Sequence, residues 1–137
     1  RLDALRKELA RQGHEILDFG AYSSSPVDYP DCAAEVAGAI RDKRAERGII
    51  VCGSGAGVSI AATKFPGIRA AVCHDCYTAH QAVEHDDMNV LCLGARVIGM
   101  NVAREIAQVF LGAAFTGEER HQRRLNKILD IEARYSK

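Results

Sequence analysis

Apolar positions along this chain follow two alternating rhythms. Leu2, Leu5 and Leu9 recur at helical spacing within Arg1 to Gln12, and Gly13 follows where a helix C-terminus favours glycine. His14 to Phe19, with Ile16 and Leu17 at its centre, predicts a short strand. Gly20 to Pro30 reads as a loop marked by Ser23, Ser24, Ser25 and Pro26. From Asp31 onward, Cys32, Val36 and Ile40 share one side of a predicted helix that ends in the charged stretch Arg41 to Arg47. Gly48 breaks the pattern, and Ile49-Ile50-Val51 is a β-branched run of the kind buried on both faces of a sheet. It leads into Cys52-Gly53-Ser54-Gly55-Ala56-Gly57, after which Val58 to Lys64 resumes helical spacing.

Pro66-Gly67 predicts a turn and Ile68 to Cys73 a strand, followed by a helix through Tyr77, Ala79 and Val83. Asn89 to Leu93 predicts a further strand, Val102 to Leu111 a helix, and Glu118 to Ala133 a last helix carrying Leu125, Ile128 and Leu129 on one face. Strand and helix alternate throughout. Each parallel crossover needs a helix, so the pattern predicts one Rossmann-like, doubly wound α/β domain over residues 1–137. Its sheet should be mostly parallel, with helices on both faces. The opening helix has neither cap nor lead-in. That predicts further residues ahead of Arg1 and a first strand absent from the given sequence.

Composition changes this picture little. The 137 residues are 47% hydrophobic and 26% charged, ordinary for a globular domain. Eighteen basic residues balance eighteen acidic ones, so net charge signals neither nucleic acid nor a membrane surface. No apolar run is long enough to span a bilayer. Five cysteines is an odd number, and Cys52, Cys73 and Cys92 sit in apolar stretches. This predicts reduced thiols in a cytoplasmic protein rather than a disulfide framework.

Candidate chemistry collects at a few places. Open parallel sheets place ligands at the carboxyl ends of their strands, where Cys52 and its glycine loop are expected. Gly53, Gly55 and Gly57 let backbone amides converge on one point, and with the next helix N-terminus they form an anion cradle. A plain strand-to-helix turn also favours glycine, and no P-loop Lys-Ser or Lys-Thr pair follows. Cys52 alone reads as a small buried hydrophobe; beside the cradle, its thiolate can remove a proton next to a carbonyl while amides hold the enediolate oxygen.

Glu84-His85-Asp86-Asp87 is either a solvated corner or the place of a proton shuttle. Cys73-His74-Asp75-Cys76 has redox spacing, but no second pair completes a zinc site, so no metal is expected. Arg120 and Arg124 lie four apart on a predicted helix face and can clamp a phosphate, as can Arg123 and Lys127 one position round. An exposed basic surface is the commoner origin of such pairs. Arg96 follows a strand end and can add a contact.

Taken together, the chain resembles the ribose-5-phosphate isomerase B and galactose-6-phosphate isomerase family. The likeness runs through Val27-Asp28-Tyr29-Pro30-Asp31, Cys52 to Lys64, Pro66-Gly67-Ile68-Arg69-Ala70, Glu84 to Val90, Leu93 to Gly99 and Gly117 to Arg124. The resemblance implies interconversion of ribose 5-phosphate and ribulose 5-phosphate without metal or cofactor. It also implies a homodimer, in some members assembled into a tetramer, with sites at the subunit interface. By the same resemblance Cys52 is the base and His85 opens the sugar ring. Gly53, Ser54, Gly55, Ala56 and Gly57 hold the enediolate oxygen, Arg120 and Arg124 the phosphate, and Arg96 supports binding while Tyr29 lines the site.

Ser54 stands where many members have Thr, and Asp86 where Asn is frequent. An ionised Asp86 only accepts hydrogen bonds, so its contact to a sugar hydroxyl changes character. The family also begins with a strand and an Asp-His pair that contacts substrate. This chain starts after that point, which predicts about 10–15 further N-terminal residues. The scaffold also serves six-carbon substrates, allose 6-phosphate and galactose 6-phosphate. Two readings of other classes stand beside these: a non-catalytic sugar-phosphate-binding module, and a thiol redox protein using Cys73 and Cys76.

Overall fold

The computed structural model describes residues 3–20 and 28–136. Leu2, the serine-rich stretch, Pro26 and Val27 lie outside the described residues. In chain order the elements are α1 (Asp3–Arg11), α2 (Tyr29–Arg41), β1 (Gly48–Cys52), α3 (Ala56–Ala62) and β2 (Ala70–Val72). α4 (Cys76–Asp86), β3 (Val90–Gly94), α5 (Met100–Gly112) and α6 (Glu119–Tyr135) complete them.

The sheet is parallel, in the order β1-β3-β2. Gly48 pairs with Val90 and Cys52 with Gly94, while Ala70 also pairs with Val90. β3 is buried along its whole length because it is the central strand. Its side chains alternate between two cores, as a period of two requires. Leu91 and Leu93 join Leu5 and Leu9 of α1, Val83 of α4, and Ile106 and Phe110 of α5 on one face. Val90 and Cys92 join Ala33 and Ala37 of α2, Val58 and Ala62 of α3, and Ile50 on the other. Helices therefore cover both faces, and the doubly wound α/β architecture stands as expected. Arg47, just ahead of β1, donates to the carbonyls of Phe110 (2.5 Å) and Ala113 (2.6 Å), satisfying acceptors that the end of α5 leaves open.

Three local expectations change. α2 begins at Tyr29 rather than Asp31, with Asp28 as its N-cap residue, because the fixed φ of Pro30 suits the first turn. His14 to Phe19 forms no strand: it runs unladdered, anchored by the Arg6 Nε–Asp18 Oδ2 ion pair at 2.8 Å. β1 is not buried on both faces, since Val51 is 38% exposed. The last two findings share a cause. An open groove of about 1220 Å³ separates the outer edge of β1 from residues 14–20; Ile49, Val51, Ile16 and Leu17 are among its lining. Among the described residues no strand pairs with that edge.

Candidate active site

Cys52 closes β1 at the carboxyl end of the sheet and is half-buried. Its carbonyl accepts from Ala95 N (2.7 Å), and the Gly53 carbonyl accepts from Arg96 N (3.0 Å), so the glycine loop is fastened to the end of β3. Gly55 caps α3 at φ 83°, a left-handed conformation that glycine adopts without steric cost. A side chain at Gly57 would stand 2.8 Å from the Tyr29 ring, so glycine there is what seats Tyr29 against the loop. The Arg96 side chain lies over Gly53, within 3.7 Å of where a Cβ would be. Ser54 Oγ accepts from Ala56 N at 3.2 Å. Tyr29, Cys52, the loop from Gly53 to Gly57 and Arg96 thus gather at one place.

Two other thiols, Cys73 and Cys92, are buried. Burial pushes Cys73 up to about 11 and Cys92 up to about 12, so neither supplies a thiolate near neutrality. All five cysteines are free. The Cys73-His74-Asp75-Cys76 stretch is a strand end followed by a helix start. Cys73 Sγ lies 3.9 Å from Met88 Sδ, Asp75 caps α4 by accepting from Thr78 N (2.7 Å), and His74 Nε2 accepts from Gly94 N (2.9 Å).

His85 and Asp86 occupy the last turn of α4, which runs back to the amino end of the sheet before β3 begins at Val90. Gln81 Nε2 stands 2.9 Å from His85 Nδ1; with the amide donating, the histidine proton sits on Nε2. The start of α6 packs here. Thr116 N donates to the Glu84 carbonyl (3.0 Å), and the His121 ring stacks on His85 with centroids 4.0 Å apart and planes at 22°. His121 is 2% exposed. Its Nε2 accepts from Arg120 Nε (3.3 Å), and its Nδ1 meets Thr116 Oγ1 at 2.6 Å. An arginine can only donate, so Nδ1 carries the proton and His121 is neutral. Burial first, then the neighbouring His85 and Arg120, hold its pKa below the ordinary 6.5.

The two basic pairs on α6 part company. Arg123 is tied to Glu119 at 2.7 Å and faces a shallow groove shared with Lys127 and Asp130. Arg120 makes a longer contact with Glu118, 3.5 Å, and among the described residues no carboxylate pairs with Arg124. Arg120 bonds His121, whose ring stacks on His85, and Arg124 follows one turn later on the same helix. The residue-level expectations therefore fall into two groups, one at the carboxyl end of β3, a strand about 13 Å long at the usual rise per residue, and one where α4 and α6 meet toward its amino end. His121, Gln81 and Thr116 were not expected at the site. His121 had a readable signal: with Leu125 and Ile128 it continues the apolar stripe of α6, a position where a polar residue needs partners.

Comparison with known proteins identifies the family. A family model described as Ribose/Galactose Isomerase matches residues 2–128. Ribose-5-phosphate isomerase B of Escherichia coli is 45% identical over 126 residues, covering 92% of this chain and 84% of that protein. D-erythrulose-4-phosphate isomerase of Pectobacterium atrosepticum is 43% identical over 111 residues, covering 80% and 72%. The solved structure of Clostridium thermocellum ribose-5-phosphate isomerase B superposes with a TM-score of 0.91 at 45% identity, covering 98% of this chain and 93% of that one. Identity at this level across nearly the whole fold is more than a shared architecture: the chain belongs to the ribose/galactose isomerase family and is an isomerase.

Proposed function

We propose that this enzyme interconverts ribose 5-phosphate and ribulose 5-phosphate in a reducing cytoplasm, at sites that two copies of the chain complete together. The carrying observation is the separation just described. Cys52 and its amide loop lie at one end of the sheet; His85, Arg120 and Arg124 lie at the other. Proton transfer needs hydrogen-bond distances near 3 Å, so Cys52 and His85 at opposite ends of one sheet support a reading in which different chains bring them to one sugar. A two-fold dimer that sets the carboxyl end of one sheet against the amino end of another supplies both halves twice.

In the proposed sequence His85 acts as an imidazolium, with the Gln81 amide turned so that its oxygen accepts from Nδ1. It gives its Nε2 proton to the furanose ring oxygen while the anomeric O1 loses its proton to water, releasing the open-chain aldose and a neutral His85. The Cys52 thiolate then takes the proton from C2; the C–H electrons form the C1–C2 double bond, and charge moves to O1. Amides of the Gly53–Gly57 turn hold that oxygen. The proton returns from Cys52 to C1, the proton on O2 passes to O1, and the ketose forms with the thiolate restored. Arg120 and Arg124 hold the phosphate, Arg96 supports the reacting end beside Gly53, and Tyr29 lines it. Asp86 accepts from a sugar hydroxyl.

Turnover on four-, five- and six-carbon aldose phosphates tests the substrate, and Cys52→Ala tests the base. That variant should lose turnover by a factor of at least about 100 while still binding ribose 5-phosphate, because the phosphate contacts remain. Unchanged turnover would remove Cys52 from the chemistry, and a wild-type chain that binds but turns over none of these sugars would be a binding module instead.

A further inference from the structure

We infer that His121 is a positioning residue that joins phosphate binding to ring opening, holding Arg120 through Nε2 and the His85 ring through its face. The inference rests on the sugar-phosphate reading above. A leucine would fill a buried position on the α6 stripe equally well. His121 instead satisfies both ring nitrogens: one accepts from Arg120 and the other donates to Thr116 Oγ1, which also accepts from Glu118 N at 3.2 Å. The ring is thereby locked in orientation by bonds at both edges. Its open face meets His85 at 4.0 Å and 22°, a packed stack rather than an incidental approach.

The chemistry follows from that arrangement. His85 is held at Nδ1 by Gln81 from its own helix, and the stacked His121 ring opposes rotation about that contact. With His121 behind it, His85 Nε2 points at a fixed place. A neutral His121 also tolerates a protonated His85, whereas a second imidazolium would repel it. The same ring bonds Arg120. Drawing Arg120 toward a phosphate therefore acts on His121, and through the stack on the group that opens the ring.

Two variants separate these roles. His121→Ala removes the stack and the acceptor; His121→Phe keeps a stacking ring but loses the acceptor. Ribose 5-phosphate must open its ring. Ribulose 5-phosphate cannot close a furanose because O5 carries the phosphate, so deuterium exchange at its C1 reports the Cys52 step without ring opening. His121→Ala should lower turnover of ribose 5-phosphate by roughly tenfold or more while slowing C1 exchange by less than about threefold. His121→Phe should restore kcat on the ring sugar to within about threefold of wild type and raise KM for both sugars. Equal losses on both substrates in the alanine variant would overturn the inference. So would a phenylalanine variant that lowers kcat on the ring sugar and leaves KM unmoved, a result that stands even if the alanine variant does not fold. Failure of the wild type to exchange or convert either sugar would count against the sugar-phosphate reading itself.

Discussion

At the scale of single residues, environment sorts groups that look alike in the sequence. Cys52, Cys73 and Cys92 all end or occupy strands, yet only burial separates two inert thiols from the one left half-exposed beside a turn of amides. Cys52 was legible because its neighbours are glycines; the inertness of the others depends on helices packing over them, which no local pattern states. His121 shows the reverse case, a chemically informative residue hidden inside an arginine motif. Its lowered pKa gives folding a signed dependence on pH. The unfolded chain binds the proton near 6.5 and the folded chain at a lower value. The contribution of neutral His121 is therefore complete above about 6.5 and is lost as pH falls through that value toward the folded pKa. Arg120, Arg124 and His85 oppose the added charge, and Glu118 favours it. Thermal unfolding followed from about pH 7.5 down to about pH 5 should show wild type losing more stability than His121→Phe. Parallel curves would mean that His121 does not titrate differently on folding.

At the scale of elements, what could be read from the chain were the units with a strong period. α5 buries Ala103, Ile106, Ala107 and Phe110 at positions set by 3.6 residues per turn, and β3 alternates between two cores at a period of two. Strand pairing was not readable for His14 to Phe19. A strand exists by virtue of a neighbour at about 4.8 Å, and periodicity carries no information about whether that neighbour is present. Among the described residues no strand pairs with the outer edge of β1, and that edge and the apolar walls of the adjoining groove match one extended segment lying between β1 and residues 14–20. We propose that a further parallel strand occupies it. A Val/Ile-rich segment fused ahead of Arg1 through a short turn should raise the melting temperature by several degrees and protect the amides of Ile49 and Val51 from hydrogen exchange. An added segment that leaves both measurements unchanged would mean that the groove is not a strand site.

At the scale of the whole molecule, the sheet both builds and divides the site. Cys52 and His85 were named as candidates from local sequence and given their roles by the family resemblance, but their separation was not legible, because it follows from the direction of α4 relative to β3 rather than from any motif. His85 is five residues ahead of Val90, in the last turn of a helix that returns it to the strand's beginning, while Cys52 sits in register with Gly94 at the strand's end. Two-fold symmetry makes this division testable without knowing the interface. Cys52→Ala and His85→Ala should each be nearly inactive alone. In a dimer formed from one copy of each, one site receives both substitutions and the other receives neither. Unfolded together and refolded at equal amounts, the two variants should recover about a quarter of wild-type activity, since half the dimers are mixed and each holds one intact site. Sites contained within single chains would recover nothing, because no chain in the mixture carries both groups.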